Sequence, residues 1–242
     1  MTTPLLQAAL QSCGDPARWD RLTTARVRMR VRGNLLLSKF KSPLLRPYTV
    51  EVSTKKVQAV LAPFGPGGGR GIFAGDWVRI ESPAGRLVAE RGGARAHARD
   101  HRVWDDLDLL YFLGYAFWNY VNTPFLFRWD GFQCTELEPW RDPATGAPLR
   151  RLLVRFPAGL PTHCPEQVFY FDEQATLLRL DYTADVFSRR IRGAHLCLRP
   201  RRFDSGFVFA THRRVVPCRS DLRPLTFAPA AMEGFIDDMQ AE

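Results

Sequence analysis

Residues 107–127, LDLLYFLGYAFWNYVNTPFLF, form the densest run of aromatic and aliphatic side chains in the chain, and any fold must bury them. Asp105, Asp106 and Asp108 put negative charge where a helix N-terminus leaves N–H groups unpaired, and Pro124 disfavours helical geometry in the residue before it. A helix of about seventeen residues fits between these signals. That is shorter than the ~20 residues of a bilayer span, and the run lacks basic flanks. Its cover must therefore come from the rest of the protein.

The flanking segments read as strands. Val27, Met29 and Val31 alternate with Arg26, Arg28, Arg30 and Arg32, which gives an apolar inner face and a solvated outer one. Tyr48, Val50 and Val52 repeat the pattern, and Val57–Leu61, Ile72–Phe73, Asp76–Glu81 and Arg86–Glu90 extend it. The glycine-rich PFGPGGGRG at 63–71 leads into a strand instead of Lys-Ser/Thr and a helix, so it reads as a rim loop, not a phosphate loop. His97 and His101 lie in a charged stretch with no third ligand in evidence, and a solvated loop is expected there.

Beyond the aromatic helix, strands are expected at 131–138, 150–156, 194–198 and 207–216. Gln167–Phe171 and Thr176–Tyr182 flank a turn and make a β-hairpin. A short amphipathic helix is expected over Pro4–Cys13 and another around Met232–Met239. The expected organisation is one domain over 1–242. It comprises an N-terminal helix and linker (1–23), a first strand group (24–90), the aromatic helix (104–122), a second strand group (131–217) and a C-terminal tail (218–242). Many consecutive strands interrupted by one long helix give an α+β class.

The hairpin FYFDEQATLLRLDY, followed by GFVFATHRRV, resembles the C-terminal half of the LolA/LppX-like lipoprotein-carrier superfamily. The resemblance implies a curved antiparallel β half-barrel closed by a long apolar helix, with an apolar cavity that accepts acyl chains. It brings no catalytic motif.

Asp108, Tyr115, Asn119 and Asn122 form a polar stripe on the aromatic helix, either a solvent-facing edge or a row of hydrogen-bonding groups lining a cavity. No nucleophile-elbow, zinc, dinucleotide or EF-hand motif is present, so no cofactor or metal is expected. The leading reading is a protein that binds a hydrophobic small molecule or lipid, with Tyr111, Tyr115, Trp118, Asn119, Tyr170 and Tyr182 lining the site. The alternative is a cofactor-independent cyclase, isomerase or dehydratase in which Asp181, His163 or Glu136 moves a proton. Glu138, His212 and Arg214 are further polar candidates. Structural roles compete with these: Asp181 pairing with Arg179, Tyr182 as a core aromatic, His212 on an outer face.

The net charge of +9 is spread over scattered arginines with no continuous tract and no nucleic-acid motif, so no nucleic-acid partner is expected; a third reading is peripheral membrane contact, with the arginines meeting anionic lipid. Five cysteines without a C-x-x-C pair, and an N-terminus whose apolar positions are broken by Gln7 and Gln11, lead to an expected cytoplasmic location.

Overall fold

Period-two alternation runs through most of the chain, and its consequence is a single sheet. The computed structural model describes residues 3–143 and 145–241. Met1, Thr2, Ala144 and Glu242, which belong to the expected N-terminal segment, one turn and the C-terminal tail, lie outside the described residues. The strands are β1 (Thr24–Arg32), β2 (Arg46–Ser53), β3 (Gln58–Phe64), β4 (Gly69–Ala74), β5 (Trp77–Glu81), β6 (Leu87–Gly92), β7 (Gln133–Arg141), β8 (Pro148–Arg155), β9 (Glu166–Phe171), β10 (Leu177–Thr183), β11 (Arg192–Arg202), β12 (Val208–Pro217) and β13 (Met232–Ala241). They form one open, antiparallel sheet in the order β6-β5-β4-β3-β2-β1-β13-β12-β11-β10-β9-β8-β7. Two meanders thus run outward from a centre where the C-terminal strand joins them.

That centre corrects the expected C-terminal helix. Met232, Ile236 and Met239 have helical spacing, but a bulge between Arg28 and Met29 of β1 leaves Asp237 as an extra residue on β13. Ile236 and Met239, three apart, therefore face the same side of a strand. The chain also compensates the outer arginines here: Arg30 meets Asp237 at 2.9 Å, Arg32 meets Glu233 at 2.5 Å, and Arg26 meets Glu51 at 2.7 Å. All three arginines are about half exposed, so these pairs fix register more than they add stability.

Among the described residues four α-helices accompany the sheet: α1 (Pro4–Cys13), α2 (Pro16–Arg21), α3 (Ala94–Asp100) and α4 (Asp106–Asn122). The charged stretch expected as a loop contains α3, where the His97 and His101 rings stack at 3.7 Å. Residues 34–39 form a 3-10 turn, and of the glycine-rich segment residues 65–68 connect β3 to β4 while the rest belongs to those two strands.

Helix α4 is 17 residues long and opens with a reciprocal cap, Asp108 N–H to Asp105 and Asp105 N–H to Asp108. Arg91 hydrogen-bonds both carboxylates, and although burial opposes ionisation, this guanidinium and the backbone donors hold Asp105 at a pKa of about 2. The face carrying Leu110, Tyr111, Gly114 and Trp118 lies on the first strand group. Trp118 Nε1 donates to the Lys56 carbonyl at 2.7 Å, and the Tyr111 and Phe73 rings pack edge to face at 5.9 Å. A Cβ at Gly114 would fall 2.4 Å from Phe73 Cβ, and one at Gly71 would fall 2.5 Å from Leu110 Cδ1. Helix and strand can approach this closely only because both positions lack a side chain. Gly114→Val is expected to cost about 1–3 kcal/mol by overpacking. A lower urea midpoint at unchanged slope shows it; an unchanged midpoint rejects the close approach.

Candidate functional site

Strand alternation sorts the polar residues between two faces. The inner face carries α4 over β2–β5, while α1 packs near β8 and β12. Val27, Val50, Leu180, Tyr182, His195 and Arg213 share that face through their pairing registers. Tyr170, Asp181, His212 and Arg214 point the other way.

The polar stripe on α4 is neither solvent-facing nor idle. Asp108, Tyr115, Asn119 and Asn122 are all buried. Asn119 Nδ2 donates to the Pro161 carbonyl at 2.9 Å, and Tyr115 Oη lies 3.1 Å from His163 Nδ1. The loop 157–165 is thereby tied to the helix, with Arg95 donating to the Thr162 carbonyl at 3.0 Å from the other side. Asp108 lies 2.7 Å from His97 Nδ1, and Asn122 donates to the Trp118 and Ser53 carbonyls.

From His163 a chain of polar groups crosses to the second half of the sheet. His163 Nε2 is 2.6 Å from Tyr120 Oη, Tyr120 Oη is 3.1 Å from Tyr182 Oη, and Tyr182 Oη is 3.2 Å from His195 Nδ1. The imidazole of His163 stacks on the Tyr182 ring with centroids 4.0 Å apart. Burial, seconded by the Arg95 charge, drives the His163 pKa down to about 3, and burial likewise takes His195 well below its ordinary value. Burial raises the phenols of Tyr115, Tyr120 and Tyr182. Both imidazoles are therefore neutral and the three phenols protonated at neutral pH.

An apolar cavity of about 220 Å³ opens beside this chain. Its walls include Leu35, Phe112, Phe187, Ile191, Val215 and Met232, and its polar lining comes from His163, Tyr182, Ser188 and Arg192. A second void of about 50 Å³ lies next to it, shares Phe112, Tyr182, Val215 and Met232, and is lined further on by Tyr120, His195 and Arg213.

Of the residues expected to line a ligand site, Tyr182 borders both spaces and Tyr115 stands one hydrogen bond behind, through His163. Tyr111 and Trp118 face the first strand group, and Asn119 holds the 157–165 loop. Tyr170 and Asp181 lie on the outer face. There Asp181 receives both Arg179 Nε at 2.6 Å and Nη2 at 2.7 Å, with Tyr170 Oη donating at 3.0 Å. Of the three expected proton carriers only His163 reaches the cavity. Glu136 accepts the Leu5 N–H at 2.7 Å, capping α1, and Arg150 lies 3.3 Å away. Glu138 is exposed, His212 stacks on Phe235 at 4.7 Å, and Arg214 donates to the Thr226 and Ala228 carbonyls.

Sequence reasoning missed Phe112, Tyr120, Phe187, His195 and Arg213. The signal for Arg213 was the inward parity of Phe209 and Val215 along β12, hidden by His212 and Arg214 on either side.

Several solved structures are similar to this chain. A LolA superfamily protein from Nitrosomonas europaea aligns over 100% of this chain and 93% of its own at 7% identity, with a TM-score of 0.52. A putative outer membrane lipoprotein-sorting protein domain from Vibrio parahaemolyticus aligns over 98% and 92% at 10% identity, with a TM-score of 0.50. A DUF1329 family protein from Desulfovibrio piger covers 100% and 93% at 11% identity, with a TM-score of 0.47. No protein-family model and no curated protein matches the sequence. The fold is LolA/LppX-like, as the hairpin resemblance implied. These neighbours also correct the expected cytoplasmic location: an outer membrane lipoprotein-sorting domain and a LolA-type protein point outside the cytoplasm. Free thiols do not argue otherwise, because Cys13, Cys164 and Cys197 are buried and burial raises all three. Among the described residues no helix is long and apolar enough to cross a membrane.

Proposed function

We propose that the protein binds a hydrophobic small molecule or acyl chain outside the cytoplasm, in the cavity bounded by Phe112 of α4, the 184–193 connection and the inner ends of β12 and β13. In this reading α4 closes the inner side of a half-barrel, as the resemblance implied. The observation that carries it is the composition of the 220 Å³ space: aliphatic and aromatic walls with a few polar groups among them. The volume is below the roughly 300–1,000 Å³ usual for drug-sized ligands, so it suits one chain or a compact apolar body. The LolA-type architecture supports the reading, because one such neighbour is described as a lipoprotein-sorting domain.

Binding is favoured over acid–base catalysis by the charge states of His163 and the neighbouring phenols. A general acid or base works best with a pKa near the operating pH. His163 is displaced to about 3, and the neighbouring phenols are displaced upward. Neither kind of group is poised to exchange protons at neutral pH.

The test is solvent extraction of the purified protein with mass spectrometry, followed by titration of the extracted protein with a fluorescent aliphatic probe. Ala184→Trp, which fills the cavity from its wall, is expected to weaken binding by about tenfold or more. Equal probe affinity in the folded variant would mean that the ligand sits elsewhere.

A further inference from the structure

Arg213 presents a charge problem. It stands on the inner face of β12 at 7% exposure, and among the described residues no carboxylate pairs with it. One guanidinium nitrogen reaches Cys197 Sγ at 3.4 Å, the group lies 5.0 Å from the centre of the Tyr120 ring, and its Nε–H is buried without a partner. An uncompensated buried cation is costly, and a thiol and an aromatic face compensate it only in part.

His195 points to the same place. It is 2% exposed, and its Nε2 is buried and unpartnered. Both residues line the 50 Å³ void beside the apolar cavity.

The hydrogen-bond chain leading to His195 can run in either of two directions, and an anion beside His195 Nε2 selects the one that ends in a donor there. In that direction Tyr115 O–H donates to His163 Nδ1, His163 Nε2–H to Tyr120 Oη, Tyr120 O–H to Tyr182 Oη, and Tyr182 O–H to His195 Nδ1. His163, Tyr120 and Tyr182 each donate once and accept once, Tyr115 only donates, and His195 accepts at Nδ1 and is left with Nε2–H. In the reverse direction the buried Tyr115 hydroxyl proton has no acceptor in the chain, and His195 Nε2 becomes an acceptor. The forward arrangement ends in the His195 Nε2–H, and His195 and Arg213 both line the small void, whose other walls include Met29, Val31, Leu113, Ala116 and Phe117.

We infer that this void is the head-group subsite for a carboxylate, held by Arg213 and the Nε2–H of His195, and that the ligand is an aliphatic carboxylic acid whose chain occupies the adjoining apolar cavity. The inference rests on the proposed binding function and narrows its ligand class. One negative charge balances the one buried positive charge, and a flat carboxylate suits both the small volume and a planar guanidinium. Phe112, Tyr182, Val215 and Met232, common to both spaces, are where head and chain would meet.

The test titrates the solvent-extracted protein with dodecanoate, dodecanol, dodecylamine and dodecyl phosphate by calorimetry. Wild-type protein is expected to bind the acid at least about tenfold more tightly than the alcohol, and the amine more weakly than either. Arg213→Leu is expected to abolish the preference for acid over alcohol. Arg214→Leu, on the outer face, should leave it unchanged. Equal affinity of wild type for acid and alcohol, or a preference that survives Arg213→Leu, overturns the carboxylate subsite but leaves apolar binding standing. Tighter binding of the phosphate than of the acid overturns the choice of head group. Absence of binding by all four compounds overturns the subsite and the proposed function together. The wild-type comparison needs no variant to fold.

Discussion

Replacing Asp181 with alanine is expected to lower the unfolding free energy by about 3–5 kcal/mol, the range for breaking a buried ion pair from one side. Asp181 and Arg179 are both under 5% exposed, and the carboxylate takes two of the guanidinium's N–H groups. The guanidinium is packed over Tyr170 at 4.6 Å and Trp140 at 5.0 Å, and Leu222 caps it with a carbonyl at 2.8 Å. Truncating the acid leaves that cation without its counter-charge and the Tyr170 hydroxyl without its acceptor. The double replacement Arg179→Met with Asp181→Leu should recover most of the loss, because it removes both charges together. Chemical denaturation of the three proteins checks this, and a single Asp181→Ala cost under about 1 kcal/mol would reject the buried pair as described. The same variants separate structure from function: Asp181 sits on the outer face, so a folded Asp181→Ala protein should bind the aliphatic probe like wild type.

The strands were readable because their chemistry is local. The arginine–aliphatic alternation of Arg26–Arg32 announces one wet and one dry face whatever it pairs with, and the acidic cap and Pro124 bracket α4 without reference to the sheet. The centre of the sheet was not readable, because β13 is a strand only by virtue of the partners on either side, and its bulge gives it the spacing of a helix. The lining of the cavity was less legible for a related reason. Single-residue scanning favours polar groups in eye-catching company, such as Asp181 in its hairpin or Glu136 among strand residues. What decides inclusion is parity: Asp181 and Tyr182 are neighbours in sequence and lie on opposite faces. The buried polar stripe of α4 was visible as a stripe, but its partners, the Pro161 carbonyl and His163, come from a loop no periodicity announces.

Acidification from pH 7 to pH 5 is expected to cost the fold about 2 kcal/mol through His163, with a contribution of the same sign from His195. His163 titrates near 6.5 in the unfolded chain and about 3 in the folded one, because burial and the facing Arg95 charge disfavour the imidazolium. Between those values the unfolded state binds a proton that the native state refuses, so stability is complete above pH 6.5 and falls as pH drops toward 3. One pH unit is worth about 1.4 kcal/mol per histidine, and pH 5 lies about one and a half units into the window. His195 adds to the loss, since burial, Arg213 and His163 all lower its affinity for a proton. Paired carboxylates such as Asp105, held at about 2, lose their contribution mainly below pH 4 and leave this interval to the histidines. Urea midpoints at pH 7, 6 and 5 measure the slope. His163→Gln, which keeps a polar group against Tyr115 and Tyr120 but cannot titrate, should start less stable and lose about 2 kcal/mol less over the same interval. An identical pH slope in wild type and variant would show that His163 accepts a proton in the native state, and that its ring is not held neutral between Tyr115, Tyr120 and Tyr182.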